Sequence, residues 1–114
     1  MFEPDDGGRR ALVTLTYRVD VARREEFLVF LRETFEFLEG QGGVHVSLYE
    51  SVDEPGLFQE VIFYDTVSAY ASDQVRLGRD PTMKAIVDRR GSFADGKVET
   101  RRLLWVEVFP PPPR

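Results

Sequence analysis

The 114-residue chain predicts an α+β sandwich of the ferredoxin-like type, βαββαβ. Two observations lead there. Apolar residues alternate with period two in four segments and recur with helical period in two others. The segments follow one another as strand, helix, strand, strand, helix, strand. That order is the split βαβ arrangement, a four-stranded antiparallel sheet with two helices on one face.

Composition bounds what such a domain can do. With 42% hydrophobic residues, nine of them Phe, the chain can build one real core, and its length suits one domain. It has no cysteine and one histidine, His45. A disulfide, a thiolate metal site, a cysteine nucleophile and a multi-histidine zinc centre within one chain are therefore excluded, and neither metal nor cofactor is expected. A net charge of -5 argues against binding nucleic acid. No apolar stretch approaches the roughly 18–20 residues needed to span a bilayer. The acidic start, Met1 to Gly8, lacks the regions of a signal peptide. These features read as a cytoplasmic protein with no membrane partner.

The first strand is Leu12 to Val19, with Val13, Leu15, Tyr17 and Val19 on one face and Thr14, Thr16 and Arg18 on the other. Asp20 is placed to cap the next element. From Val21 to Leu38, residues Phe27, Phe30, Leu31, Thr34, Phe35, Phe37 and Leu38 gather on half of a helix, with Val29 alone misplaced. Gly40, Gly42 and Gly43 end it. Val44 to Glu50 alternates again, Asp53-Glu54-Pro55-Gly56 carries turn chemistry, and Leu57 to Asp65 returns. A regular hairpin would set Tyr49 opposite Glu60, Ser47 by Ile62 and His45 by Tyr64. A second helix runs from Val67 to Leu77, with Thr66 or Ser68 as cap. Asp80-Pro81 restarts it after Gly78, and Gly91 ends it. Lys97 to Phe109 is the last strand, stopped by Pro110 to Pro113. Residues 1–10 form a frayed arm, 11–109 the domain and 110–114 a Pro-rich tail.

Residues Leu12–Val19, Glu26–Leu38, Leu48–Tyr64 and Pro81–Val87 together resemble the antibiotic biosynthesis monooxygenase-like group of the dimeric α+β barrel superfamily. The local match is the hairpin from Leu48 to Phe58, which contains Tyr49-Glu50-Ser51 and Asp53-Glu54-Pro55-Gly56, with Glu60 just beyond. The resemblance implies a homodimer with two sheets packed face to face. It also implies a cavity for a small aromatic or hydrophobic ligand and, in some members, cofactor-independent oxidation of quinols or polyketide phenols. Some members degrade haem. Gln74 stands where many place a helix histidine, and Val67 where an aromatic is common, which argues against haem chemistry here.

On the expected register, His45, Tyr49, Glu60 and Tyr64 share one sheet face with Thr14 and Thr16 nearby. Glu60 or His45 would take a phenol proton, giving an anion able to react with dioxygen. Thr14, Thr16, Tyr49, Tyr64 and Trp105 would bind the substrate. The same face allows another reading, a non-catalytic ligand-binding or dimerisation module. There Glu60 accepts from Tyr49, His45 meets Tyr64 or a partner chain, and Trp105 anchors the interface. Leu12, Tyr49, Phe58, Ile62, Tyr64 and Trp105 leave that face too apolar for water, so a second copy should cover it.

Overall fold

The structure, a computed structural model, describes the backbone of residues 9–106 and the side chains of residues 10–103. Its elements are β1 (Arg9–Arg18), α1 (Arg24–Glu39), β2 (Val44–Glu50), β3 (Leu57–Tyr64), α2 (Val67–Arg79), α3 (Pro81–Phe93) and β4 (Glu99–Val106). A single 3-10 turn, Val21–Arg23, leads into α1. The four strands form one antiparallel sheet in the order β2-β3-β1-β4, and the helices cover one of its faces. The ferredoxin-like α+β fold expected from the periodicity is present. The second helical region is two helices rather than one. The first strand begins at Arg9, earlier than expected, and the Pro-rich tail lies outside the described residues.

Local chemistry explains the boundaries. Asp20 accepts from Ala22 N–H at 2.9 Å, Thr66 from Ala69 N–H at 3.0 Å and Asp80 from Thr82 N–H at 2.8 Å, each satisfying a donor that a helix start leaves open. Pro81 at the first turn of α3 has no N–H to lose. α1 closes onto Gly42 and Gly43, both at positive φ, as its glycine cluster predicts. Gly91 does not end α3, which continues to Phe93.

The core lies between sheet and helices. Val13, Leu15 and Tyr17 of β1 meet Phe58, Ile62 and Tyr64 of β3, with Phe27, Phe30, Leu31 and Leu38 of α1 above them. Phe27 stacks edge-on against both Tyr17 and Phe93. Val29 is 57% exposed, as its position on the helical wheel requires.

The β2–β3 register differs by one residue from the expected one. Tyr49 pairs with Gln59, Ser47 with Val61 and His45 with Phe63. The Ser51 N–H to Leu57 O bond, 2.9 Å, closes a loop from Val52 to Gly56, one residue longer than the Asp53–Gly56 turn. A one-residue slip exchanges faces. Phe58, Glu60, Ile62 and Tyr64 therefore face the helices, not the open side. Open-face rows run His45–Phe63–Leu12–Leu103, Ser47–Val61–Thr14–Arg101 and Tyr49–Gln59–Thr16–Glu99.

Ion pairs pin the periphery. Arg24 holds Glu50 at 2.9 Å, and Glu50 also accepts from Gly56 N–H at 3.1 Å. These two contacts, the guanidinium first, lower the Glu50 pKa. Along the outer edge of β2, the Glu39 carboxylate accepts from Val46 N–H at 3.2 Å. Among the described residues no helix is long and apolar enough to cross a membrane, and no cluster of three or more His, Asp or Glu could hold a metal.

Candidate functional site

A cavity of about 720 Å³ lies between the sheet and the α2–α3 pair. Its floor is Val13, Leu15, Ile62 and Tyr64. Gln74 and Leu77 of α2 and Met83, Ile86 and Val87 of α3 form the walls, and Thr100 and Arg102 of β4 stand at its flank. This volume falls within the range typical of small-molecule sites.

Two buried polar clusters adjoin it. In the first, Glu60 is completely buried and accepts from the Tyr17 hydroxyl and from Arg90, through Nε at 2.8 Å and Nη2 at 3.2 Å. The paired donors of a guanidinium match a carboxylate, and such a pair is stable in a dry interior only when fully bonded. Arg90 also borders the cavity, so a guanidinium whose charge Glu60 balances can still donate a hydrogen bond there. In the second cluster Asp73, almost wholly buried, accepts from the Tyr64 hydroxyl and from Arg76 at 3.3 Å. Both Tyr64 and Asp73 line the cavity. Burial, reinforced by the adjacent carboxylate, pushes each tyrosine hydroxyl far above its ordinary value. Both phenols are neutral donors at any physiological pH.

The expected constellation is divided between the two faces. Glu60 and Tyr64 lie on the cavity side. His45, Tyr49, Thr14 and Thr16 lie on the open face. His45 is exposed and sits 3.0 Å from Asp65, not beside Tyr64, and Glu60 bonds Tyr17 and Arg90 rather than Tyr49. Tyr49 is 60% exposed, and Thr14 and Thr16 are half-buried. Trp105 pairs with Arg10 in the ladder, and its side chain lies outside the described residues. Gln74, where the resemblance would place a histidine, does face the cavity.

Tyr17, Asp73, Arg76 and Arg90 were not among the expected site residues, although the spacing carries the signal for two of them. Arg90 continues the Met83, Ile86 and Val87 stripe at intervals of three, four and seven. Asp73 continues Ala69 and Tyr70 toward Leu77 in the same way. A charge at a core-facing position needs a partner, and both have one.

No protein-family model matches the chain, and no curated protein matches it by sequence. Solved structures do. One is a provisionally named antibiotic biosynthesis monooxygenase from Caulobacter crescentus, with a TM-score of 0.72, 20% identity, and coverage of 89% of this chain and 93% of that one. Another is SnoaB, a cofactor-independent oxygenase from Streptomyces nogalater, with a TM-score of 0.66, 14% identity, and coverage of 91% and 98%. A NIPSNAP family protein from Agrobacterium tumefaciens also superposes, with a TM-score of 0.64, 17% identity, and coverage of 88% and 89%. Identities this low speak to architecture and not to activity. The chain has the ferredoxin-like α+β fold of the antibiotic biosynthesis monooxygenase-like structures.

Proposed function

We propose that the cavity binds a flat aromatic molecule carrying a phenol or quinol hydroxyl, and that the protein oxidises it with dioxygen and no cofactor. The observation that carries this reading is the cavity itself: apolar walls with the Tyr64–Asp73 and Glu60–Arg90 pairs along them. Asp73, with the Tyr64 hydroxyl between it and a bound phenol, takes the proton, and Arg90 stabilises the phenolate. The electron-rich anion passes one electron to dioxygen. The resulting radicals join through a carbon–oxygen bond, and cleavage of the O–O bond releases water. A quinol and dioxygen thus give a hydroxyquinone and water. Glu60 is a positioning residue in this scheme, since it reaches the cavity through Arg90. The SnoaB likeness is consistent with such chemistry.

Oxygen uptake with a panel of hydroquinones tests the reading. Asp73→Asn should lower the rate about 100-fold or more while ligand binding persists, the scale typical of a lost general base. His45→Ala should leave it unchanged. Full turnover by Asp73→Asn would refute the assignment, and loss in His45→Ala would move the site to the open face.

A second reading has its own support. Both carboxylates are already bonded by a tyrosine and an arginine, which suits a rigid, non-catalytic binding module. Saturable ligand uptake without oxygen consumption would select it. Either way, the open face argues for a homodimer. Phe63, 38% exposed, and Tyr49, 60% exposed, flank half-buried Leu12, Val61 and Leu103. Phe63→Asp should turn a sedimenting dimer into a monomer at micromolar concentration.

A further inference from the structure

We propose that the compound bound in this cavity carries a carboxylate or similar anion on its aromatic frame, held at the mouth by Arg102 and Lys84. The proposal deepens the small-molecule reading above and rests on it. The sheet face beneath the helices is apolar along β1 and most of β3, through Val13, Leu15, Phe58 and Ile62. It changes character at the start of β4, where the described side chains on the same side are those of Thr100, paired with Leu15, and Arg102. Arg102 is paired with Val13, a floor residue of the cavity. An arginine on the inward side of a strand, next to a buried valine, requires an opening to water or an anion.

A charge count around the cavity supports the anion. Its charged lining residues are Asp73, Lys84, Asp88, Arg90 and Arg102. Arg90 is neutralised by Glu60, and Asp73 by Arg76. Among the described residues Lys84, Asp88 and Arg102 form no ion pair. Two cations against one carboxylate leave the mouth positive, on a chain whose net charge is -5. A local field opposite in sign to the molecule's net charge favours an anionic ligand over a neutral one of the same shape. The apolar floor and the cationic mouth together fit an aromatic acid, with its ring inward and its charge at the rim. The alternative is that Arg102 serves only to keep an edge strand solvated.

Two probes that differ only in charge separate these cases. Anilinonaphthalene sulfonate is N-phenyl-1-naphthylamine with an added sulfonate, and both brighten when desolvated. Fluorescence titration of the full chain should give tighter binding of the sulfonate. Arg102→Gln and Lys84→Gln, both at exposed positions, should each weaken the sulfonate about fivefold and leave the neutral probe unchanged, a size typical of one partly screened charge. Gly91→Phe should reduce both probes, because Gly91 lines the cavity and a Cβ there meets no atom within 4 Å. Equal affinity for the two probes, unaltered by either charge variant but lost in Gly91→Phe, would overturn the anion and leave the cavity reading intact. Binding of both probes unaffected by Gly91→Phe would overturn the cavity reading and the anion with it.

Discussion

Cutting the buried pair from the arginine side should damage the fold more than cutting it from the carboxylate side. Glu60 has no exposed surface, whereas the Arg90 side chain, 9% exposed, borders a cavity that water can enter. Arg90→Met strands a carboxylate in the core with only the Tyr17 hydroxyl for company. Loss of one partner of a buried pair costs about 3–5 kcal/mol, and complete enclosure of Glu60 argues for the upper half of that range. Glu60→Gln keeps an acceptor for Tyr17 and leaves a guanidinium that can turn toward the cavity, so about 2–3 kcal/mol is expected. The double variant, with both charges gone, should cost less than the two singles together by about 2 kcal/mol or more. Urea unfolding at one fixed protein concentration provides the assay. With a slope of roughly 1.5 kcal/mol per molar, the arginine variant should lose about 3 M from its midpoint. A cost under about 1 kcal/mol for Arg90→Met, the level of an ordinary surface change, or single costs that simply add, would refute a buried, mutually dependent pair.

Alkaline pH should expose the tyrosines. Tyr17 and Tyr64 both have folded-state pKa values raised above the ordinary 10.0, so their contribution is intact below pH 10. As pH rises further the unfolded chain ionises first, and stability should fall by up to about 1.4 kcal/mol per pH unit for each phenol. Tyr17→Phe should roughly halve that slope in pH-dependent unfolding, and an unaltered slope would count against its burial. Gly56 gives a backbone prediction. Its φ is +93°, and an added Cβ would sit 2.7 Å from the Val19 carbonyl oxygen. Gly56→Ala should therefore cost about 2–3 kcal/mol in thermal or urea unfolding, and a neutral result would refute this turn geometry.

The fold was legible because each element carries its own period. The Phe27–Leu38 stripe, the Val13–Val19 alternation and the Asp80-Pro81 restart each specify one local structure, and all three agree with the sheet order. The site was less legible. Alternation sorted His45, Ser47 and Tyr49 from Val44, Val46 and Leu48 correctly, but the pairing of β2 with β3 depends on where the loop closes. Nothing in Val52-Asp53-Glu54-Pro55-Gly56 fixes that to one residue, because Pro55 and Gly56 permit either loop length. That single step carried Glu60 and Tyr64 away from His45. Partners such as Tyr17 and Arg90 lie far apart along the chain, and only the assembled fold brings them together.

The Glu39 carboxylate on Val46 has a consequence for how copies can meet. A strand adding to this rim would need that amide, and it would have to displace a negatively charged acceptor to reach it. Growth of the sheet sideways into a continuous ribbon, the arrangement that leads to open-ended fibres, is thereby obstructed midway along β2. The broadside contact proposed above leaves that amide untouched, and such a two-fold contact closes after two molecules.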